Sequence, residues 1–265
     1  MTKTRKRSAV AAKPINVVVD LSHHNEKVDF VKMKADGIVA VIHKATQGLT
    51  YVDKTYATRQ KAASKAGLLW GAYHFGVGGD GSDQAAFFLE TIQPAGATLL
   101  VLDYEPNLTG PTMSVDQARE FVEHVAEATG RWPGLYSGHL IKEQLGGVFT
   151  PDARLSKCFL WLAQYNGPKP HNIPPTFRTW TFWQYTDGVH GPEPHRVDGI
   201  GLCEPQQVQR VACSTEETLG RCRQVMQVAG VRHAFARSRC RRDTSRRAAA
   251  HRLCRRFEWQ GKDCA

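Results

Sequence analysis

Thr98-Leu99-Leu100-Val101-Leu102-Asp103-Tyr104-Glu105 reads as a strand that is apolar along its length and then stops on two acids. A continuous apolar run suits a strand covered on both faces, as in a parallel sheet packed against helices. A strand with one wet face would alternate instead. Side chains at i and i+2 of a strand project to the same face. Asp103 and Glu105 therefore project together, with Cα atoms roughly 6–7 Å apart at ~3.3 Å of rise per residue. Asp-x-Glu by itself is a weak signal, but a buried run that ends in two clustered carboxylates needs a use for them.

The same alternation of apolar strand and helix extends in both directions from this segment. Upstream, Ile15–Asp20, Ile38–Ala45 and Leu68–Phe75 read as strands. Between them, Val28–Asp36 and the Lys- and Ala-rich Asp53–Ala66 read as helices, stopped by Gly37 and Gly67. After a flexible loop, Gly76–Gly81, a helix is expected over Ser82–Gln93 with Ser82 as its N-cap. Downstream, Ser114 opens a long helix to Thr129, with Gln117 placed for a capping box. Strands follow around Leu135, Phe159–Ala163 and Thr181–Tyr185. This βαβα rhythm predicts a parallel sheet covered by helices. An irregular, TIM-like β/α barrel fits best, with an open doubly wound sheet as the alternative.

Composition bounds the rest. The chain has 265 residues, 42% hydrophobic and 9% aromatic, which is globular rather than disordered or fibrous. No apolar run approaches a membrane span, so no membrane partner is expected. The basic start, Met1–Lys13, holds only the short apolar run Ala9-Val10-Ala11-Ala12, too short for the core of a secretion signal. Any export would then need another route. The net charge of +10 is unevenly placed. From Cys203 to Ala265 there are 14 Lys+Arg against 6 Asp+Glu, and six of the seven cysteines. The rest of the chain is nearly neutral and has only Cys158, so no disulfide framework is indicated there. Three segments follow: a basic extension over 1–13, a barrel over 14–204 and an Arg/Cys-rich tail over 205–265.

Polar residues collect where the apolar runs finish: Asp20, Lys44, His74, Asp103, Glu105, Tyr136, Gln164 and Gln184. In β/α barrels that end of the strands carries the active site. Paired carboxylates at this separation suit glycoside hydrolysis. One acid donates a proton to the leaving oxygen, and an ionised partner stabilises positive charge at the anomeric carbon. Two close carboxylates resist ionising together, which separates their pKa values. Glu105, with the longer reach and nearer the rim, is assigned as the acid. The aromatic residues Tyr73, Phe75, Tyr136, Trp161, Trp183 and Tyr185 could stack on sugars, though roughly half of them are expected in the core. Tyr73, Tyr136 and Trp183 are the rim candidates. His23, His24 and His74 lack the spacing of a zinc helix and read as structural. Lys44 could meet an acidic or polar part of a substrate or pair with a site carboxylate.

The ordered motifs resemble glycoside hydrolase family 25, the Chalaropsis-type lysozymes. They are Asp20-Leu21-Ser22-His23-His24-Asn25; Ile42-His43-Lys44-Ala45-Thr46-Gln47-Gly48 with Tyr51 and Asp53; Gly71-Ala72-Tyr73-His74-Phe75; Leu102-Asp103-Tyr104-Glu105; Tyr136-Ser137-Gly138; Trp161-Leu162-Ala163-Gln164-Tyr165; and Phe182-Trp183-Gln184-Tyr185. The resemblance runs from about Ile15 to about Glu204. It implies a somewhat irregular β/α barrel that hydrolyses the β-1,4 bond after N-acetylmuramic acid in peptidoglycan, with no metal or cofactor. Glu105 would be the general acid, Asp103 its partner and Asp20 a further acid of the site. Lys44, Tyr51, Tyr73, Phe75, Tyr136, Trp183 and Gln184 would bind the glycan strand. A retaining and an inverting outcome both stay open. A monomer with no nucleic-acid partner is expected; a non-catalytic glycan-binding module is the alternative.

Two departures stand out. The second-strand motif often carries Glu where this chain has Gln47, and an amide cannot act as acid or base. The family also ends its barrel on an Asp followed by a pattern like Arg-Asn-Lys-Phe-Asn-Gly. Here Glu204 is followed by Pro205-Gln206-Gln207-Val208-Gln209-Arg210. Dropping the third base of codon 204 permits Asp-Arg-Asn-(Lys or Arg)-Phe-Asn-Gly. Glu204 is then a displaced family acid and the tail a frame-shifted C-terminus. Such a tail is expected to pack poorly and to leave the barrel without its closing segment.

Overall fold

The computed structural model describes residues 15–203 and 205–208. It has an α/β fold built on a curled, mainly parallel sheet. The strands are β1 (Ile15–Leu21), β2 (Ala40–Gln47), β3 (Tyr51–Val52), β4 (Leu69–Phe75), β5 (Leu99–Asp103), β6 (Gly134–Ser137), β7 (Phe159–Ala163) and β8 (Phe182–Gln184). Shorter strands follow as β9 (Arg196–Val197), β10 (Gly201–Leu202) and β11 (Pro205–Val208). Their order is β1-β11-β8-β7-β6-β5-β4-β2-β3, and β1 also pairs with β2, so the sheet curls back towards its start. An open doubly wound sheet would not bring β1 and β2 together in this way. Where they pair with one another, β1, β2 and β4 to β8 are parallel.

Five α-helices are present among the described residues: α1 (Phe30–Ala35), α2 (Tyr56–Lys65), α3 (Gly81–Ile92), α4 (Val115–Thr129) and α5 (His139–Leu145). Their ends show why they begin and stop where they do. Asp29 caps α1 by accepting from the Val31 and Lys32 amides. Ser114 and Gln117 form the expected capping box on α4, which ends on Gly130 at φ 69°. The cap of α3 is Asp80 rather than Ser82: its carboxylate accepts from the Asp83 amide at 2.8 Å, a stronger acceptor two residues earlier. The short elements β3, β9 and β10 and the helix α5, which has no capping side chain, leave little periodicity to read.

Burial follows strand alternation. Val18, Ile42, Leu99, Val101, Trp161 and Phe182 pack together on the inner, concave side. Val19, Val41, Leu100, Leu102, Leu160 and Leu162 pack outward against Met33, Phe88 and Phe121 of the helices. Every residue of β5 is buried, as its unbroken apolar run predicts. The sequence ends the domain at Glu204, and the tail is expected to leave the sheet unclosed. That expectation needs correction. The backbone of β11 continues through Val208 and runs antiparallel between β1 and β8. Strand pairing uses main-chain groups, which every residue but proline supplies in full. Glu204 and residues 209–265 lie outside the described residues.

Two buried histidines tie the outer layer to the sheet. On β4, His74 accepts from Thr46 Oγ1 at 2.8 Å and donates from Nε2 to Gln84 Oε1 at 3.2 Å. The Gln84 amide in turn donates to the Val77 carbonyl. His74 stacks on Phe121 with centroids 5.0 Å apart. On β2, His43 donates from Nδ1 to the Lys44 carbonyl, stacks on Trp70 and receives a hydrogen bond from Arg59 at Nε2. Burial lowers both imidazoles to about 4. Their folded pKa values lie below the unfolded value, so unfolding takes up protons as the pH falls from about 6.5 towards 4. Stability is complete above that window and declines through it, by ~1.4 kcal/mol per pH unit for each histidine. Thermal melts at pH 6.5 and pH 5 should therefore differ by about 3 kcal/mol, a fall in Tm on the order of 10 °C. Equal melting temperatures would mean that the histidines accept protons within the fold.

Candidate active site

The parallel strands end on one rim, and one lateral row of residues defines it. Gln47 on β2 pairs with Phe75 on β4, Phe75 with Asp103 on β5, and Asp103 with Tyr136 on β6. The row continues to Trp161 on β7 and Phe182 on β8. Asp103 follows the inward-facing Leu99 and Val101 by strand alternation, so its carboxylate faces the concave side. It is 7% exposed. The chain stays extended for another step, because the Tyr104 amide donates to the Tyr136 carbonyl at 2.8 Å. Glu105 thus returns to the same face, half-buried. A Cβ on Gly138 would stand 3.8 Å from Glu105 Oε1, which places the carboxylate over the end of β6. Asp20, two residues beyond the inward Val18, is half-buried at the end of β1.

The wall on the β6–β8 side is aromatic. Tyr136 meets Trp161 edge-on at 4.7 Å, and Trp161 meets Phe182 at 6.1 Å. The Gln184 amide donates to the Tyr165 hydroxyl at 3.1 Å. Trp183 is not part of this wall. It lies on the opposite face of β8 from Phe182 and Gln184, packed on Trp180 and Tyr185, with its indole N–H donating to the Gln164 carbonyl. The period-two alternation of β8 carried the signal: Gln184 inward requires Trp183 outward.

The wall on the β2–β3 side is charged. A bulge falls between Lys44 and Thr46, where the pairing with β4 shifts by one residue. Residues three apart on a regular strand face opposite ways; the bulge lets Lys44 and Gln47 face inward together, beside Tyr73 and Phe75. Lys44 Nζ donates to Gln47 Oε1 at 2.7 Å and lies 5.0 Å from the Phe75 ring and 5.5 Å from the Tyr51 ring. Burial lowers the Lys44 ammonium below the usual lysine range, against the pull of the Asp103 and Asp53 carboxylates. Glycine at position 48 adopts φ 55° where the chain turns into β3.

Asp53, whose side chain is wholly enclosed, holds this wall in place. It accepts from the His23 amide and ring nitrogen and from the Thr55 amide and hydroxyl. Burial alone would raise its carboxyl, but these donors outweigh it and hold the pKa at about 2. The Tyr51 hydroxyl also meets His23 Nδ1, at 3.0 Å. Arg59 donates to the carbonyls of Ser22 and Asn25, fixing the loop that carries His23 and His24. Sequence reasoning placed Asp53 only within a motif and missed Arg59; a lone arginine on a helix gives no signal of the loop that it clamps.

The sequence profile of Glycosyl hydrolases family 25 matches residues 19–193. Uncharacterized protein YegX of Escherichia coli K12 is 31% identical over 192 residues, 66% of this chain and 66% of its own length. Lysozyme M1 of Streptomyces globisporus is 29% identical over 181 residues, covering 63% of this chain and 60% of that protein. The chain thus spans just under two-thirds of the length of these relatives. Among solved structures, a family GH25 lysozyme from Aspergillus fumigatus is 32% identical with a TM-score of 0.61, covering 76% of this chain and 96% of that one. With the acid-bearing strand, its flanking rows and the two walls inside the matched region, the chain belongs to glycosyl hydrolase family 25.

Proposed function

We propose that this protein is a lysozyme that hydrolyses the β-1,4 bond between N-acetylmuramic acid and N-acetylglucosamine in peptidoglycan. The observation that carries this reading is the placement of Asp103 and Glu105 on the concave face between an aromatic and a charged wall. In this reading Glu105, the more accessible of the two, protonates the leaving glycosidic oxygen. Asp103, enclosed and ionised, stabilises positive charge at the anomeric carbon or steadies the group that attacks it. Asp20 is a further acid of the site. Lys44, Tyr51, Tyr73, Phe75, Tyr136 and Gln184 line the path of the glycan strand. The enzyme works as a monomer on an irregular β/α barrel.

Digestion of bacterial cell walls should release fragments with N-acetylmuramic acid at the new reducing end. New reducing ends of N-acetylglucosamine, or cuts confined to the peptide, would contradict the assignment. Glu105→Gln keeps the shape of the side chain and removes its proton; kcat should fall by about 10²–10⁴-fold while wall binding stays near wild type. Asp103→Asn should be at least as severe. If wild type and Glu105→Gln retain walls equally and neither cuts them, the fold serves as a glycan-binding module instead.

We further propose that the catalytic domain is encoded through codon 204 and that Pro205–Ala265 is an out-of-frame reading of its C-terminus. Thirteen of the 14 basic residues between Cys203 and Ala265 are Arg, and this stretch has no Tyr or Asn. The gene decides the matter. The shifted frame requires CCG for Pro205 and GTT for Val208, and any other codon at either position removes the idea. A version restored to the shifted frame should melt at a higher temperature than the present chain.

A further inference from the structure

Lys44 brings a positive charge to a face otherwise lined by acids and aromatic rings, and the way it is held is unusual. Its ammonium is fixed by an amide oxygen, Gln47 Oε1 at 2.7 Å, rather than by a carboxylate. An amide orients a cation without cancelling its charge. The ring of Phe75, 5.0 Å from Nζ, belongs to the residue paired directly with Asp103, so the ammonium stands over the strand next to the acid. Arg59, the nearby guanidinium, is engaged by the Ser22 and Asn25 carbonyls and by His43. The other ionisable groups on this face are Asp20 on β1 and Glu105 after β5. Tyr73 on β4, Tyr136 on β6 and Tyr165 after β7 complete the concave side. Across the hairpin stand His23, His24, Tyr51 and Asp53. Asp53 stays charged among its four donors, and its carboxylate also acts on Lys44.

We propose that Lys44 is a positioning charge that keeps Asp103 ionised, and that Gln47 serves it by holding the ammonium without neutralising it. The proposal rests on the reading of Asp103 as the ionised catalytic carboxylate. A nearby positive charge favours the ionised form of an acid and lowers its pKa. The mutual pull between Lys44 and Asp103 agrees with this, since Asp103 acts to raise the Lys44 pKa against burial. The bulge in β2 is what makes the pairing possible, because it turns Lys44 and Gln47 to one face.

The test is the pH dependence of kcat/KM on soluble peptidoglycan fragments, whose acidic limb reports the carboxylate that must be ionised. Lys44→Met should move that limb upward by about one pH unit. Lys44→Arg should return it towards wild type. Gln47→Glu neutralises the ammonium with almost no change of size and should move the limb in the same direction as Lys44→Met. If Lys44→Met does not fold, Gln47→Glu decides alone. A raised KM with the limb in place would mean that Lys44 reads an anionic group of the substrate, and would overturn the proposal. A uniform loss of kcat at every pH, with the limb unmoved, would assign Lys44 a structural role and overturn it too. A wild-type chain with no turnover at any pH would instead defeat the reading on which the proposal rests.

Discussion

A parallel sheet buried on both faces has no place for charge except at the ends of its strands, and this constraint organises the molecule. β5 has an inner and an outer apolar contact at alternate residues, so its first polar side chain must wait for the rim. Moving Asp103 two residues back would set a carboxylate among Leu99, Ile42 and Phe182, where no water could reach it and burial would force it neutral. At the rim the same residue is 7% exposed and lies within reach of the Lys44 ammonium. Polar groups that do sit deeper, His74 and Gln84 above all, are there because each has partners: Thr46, the Val77 amide and the Val77 carbonyl.

This constraint also explains what the amino-acid sequence could tell. Strands β1, β2 and β4 to β8 were legible because two-sided burial writes an unbroken apolar run. The acid pair was legible because it interrupts one. Alternation then places Asp103 and Glu105 on one face, whereas the facing of Asp20 follows only from the packing of Val18. The features that stayed hidden are those that break a period. The bulge at Ala45 reverses the facing of β2, so counting by twos puts Lys44 and Gln47 on opposite sides when they share one. Trp183 was misplaced for the opposite reason: the aromatic residue type suggested a sugar platform, whereas the regular alternation of β8 already excluded it.

The two walls of the site differ in how they are held, and the difference is physical. Large rings packed on one another, Tyr136 on Trp161 and Trp161 on Phe182, fix the aromatic wall through contact area, which is continuous with the core beneath. The opposite wall is made of a two-stranded hairpin and a loop with little apolar surface of their own, and Leu49, Tyr51 and Val52 remain exposed. Its order comes from ionic hydrogen bonds: Asp53 gathers four donors from His23 and Thr55, and Arg59 binds two carbonyls of the same loop. Hydrogen bonds to charged groups are worth more than neutral ones and cost more to leave unmade. A hairpin that packing alone would leave loose is thereby tied to α2 and to the β1 loop at once. The position of Lys44 over Phe75 and Tyr51 depends on that tie, because Tyr51 belongs to the hairpin. The place of the Lys44 ammonium is therefore set from the side of the sheet with the least core behind it, by a carboxylate and a guanidinium that hold the loop.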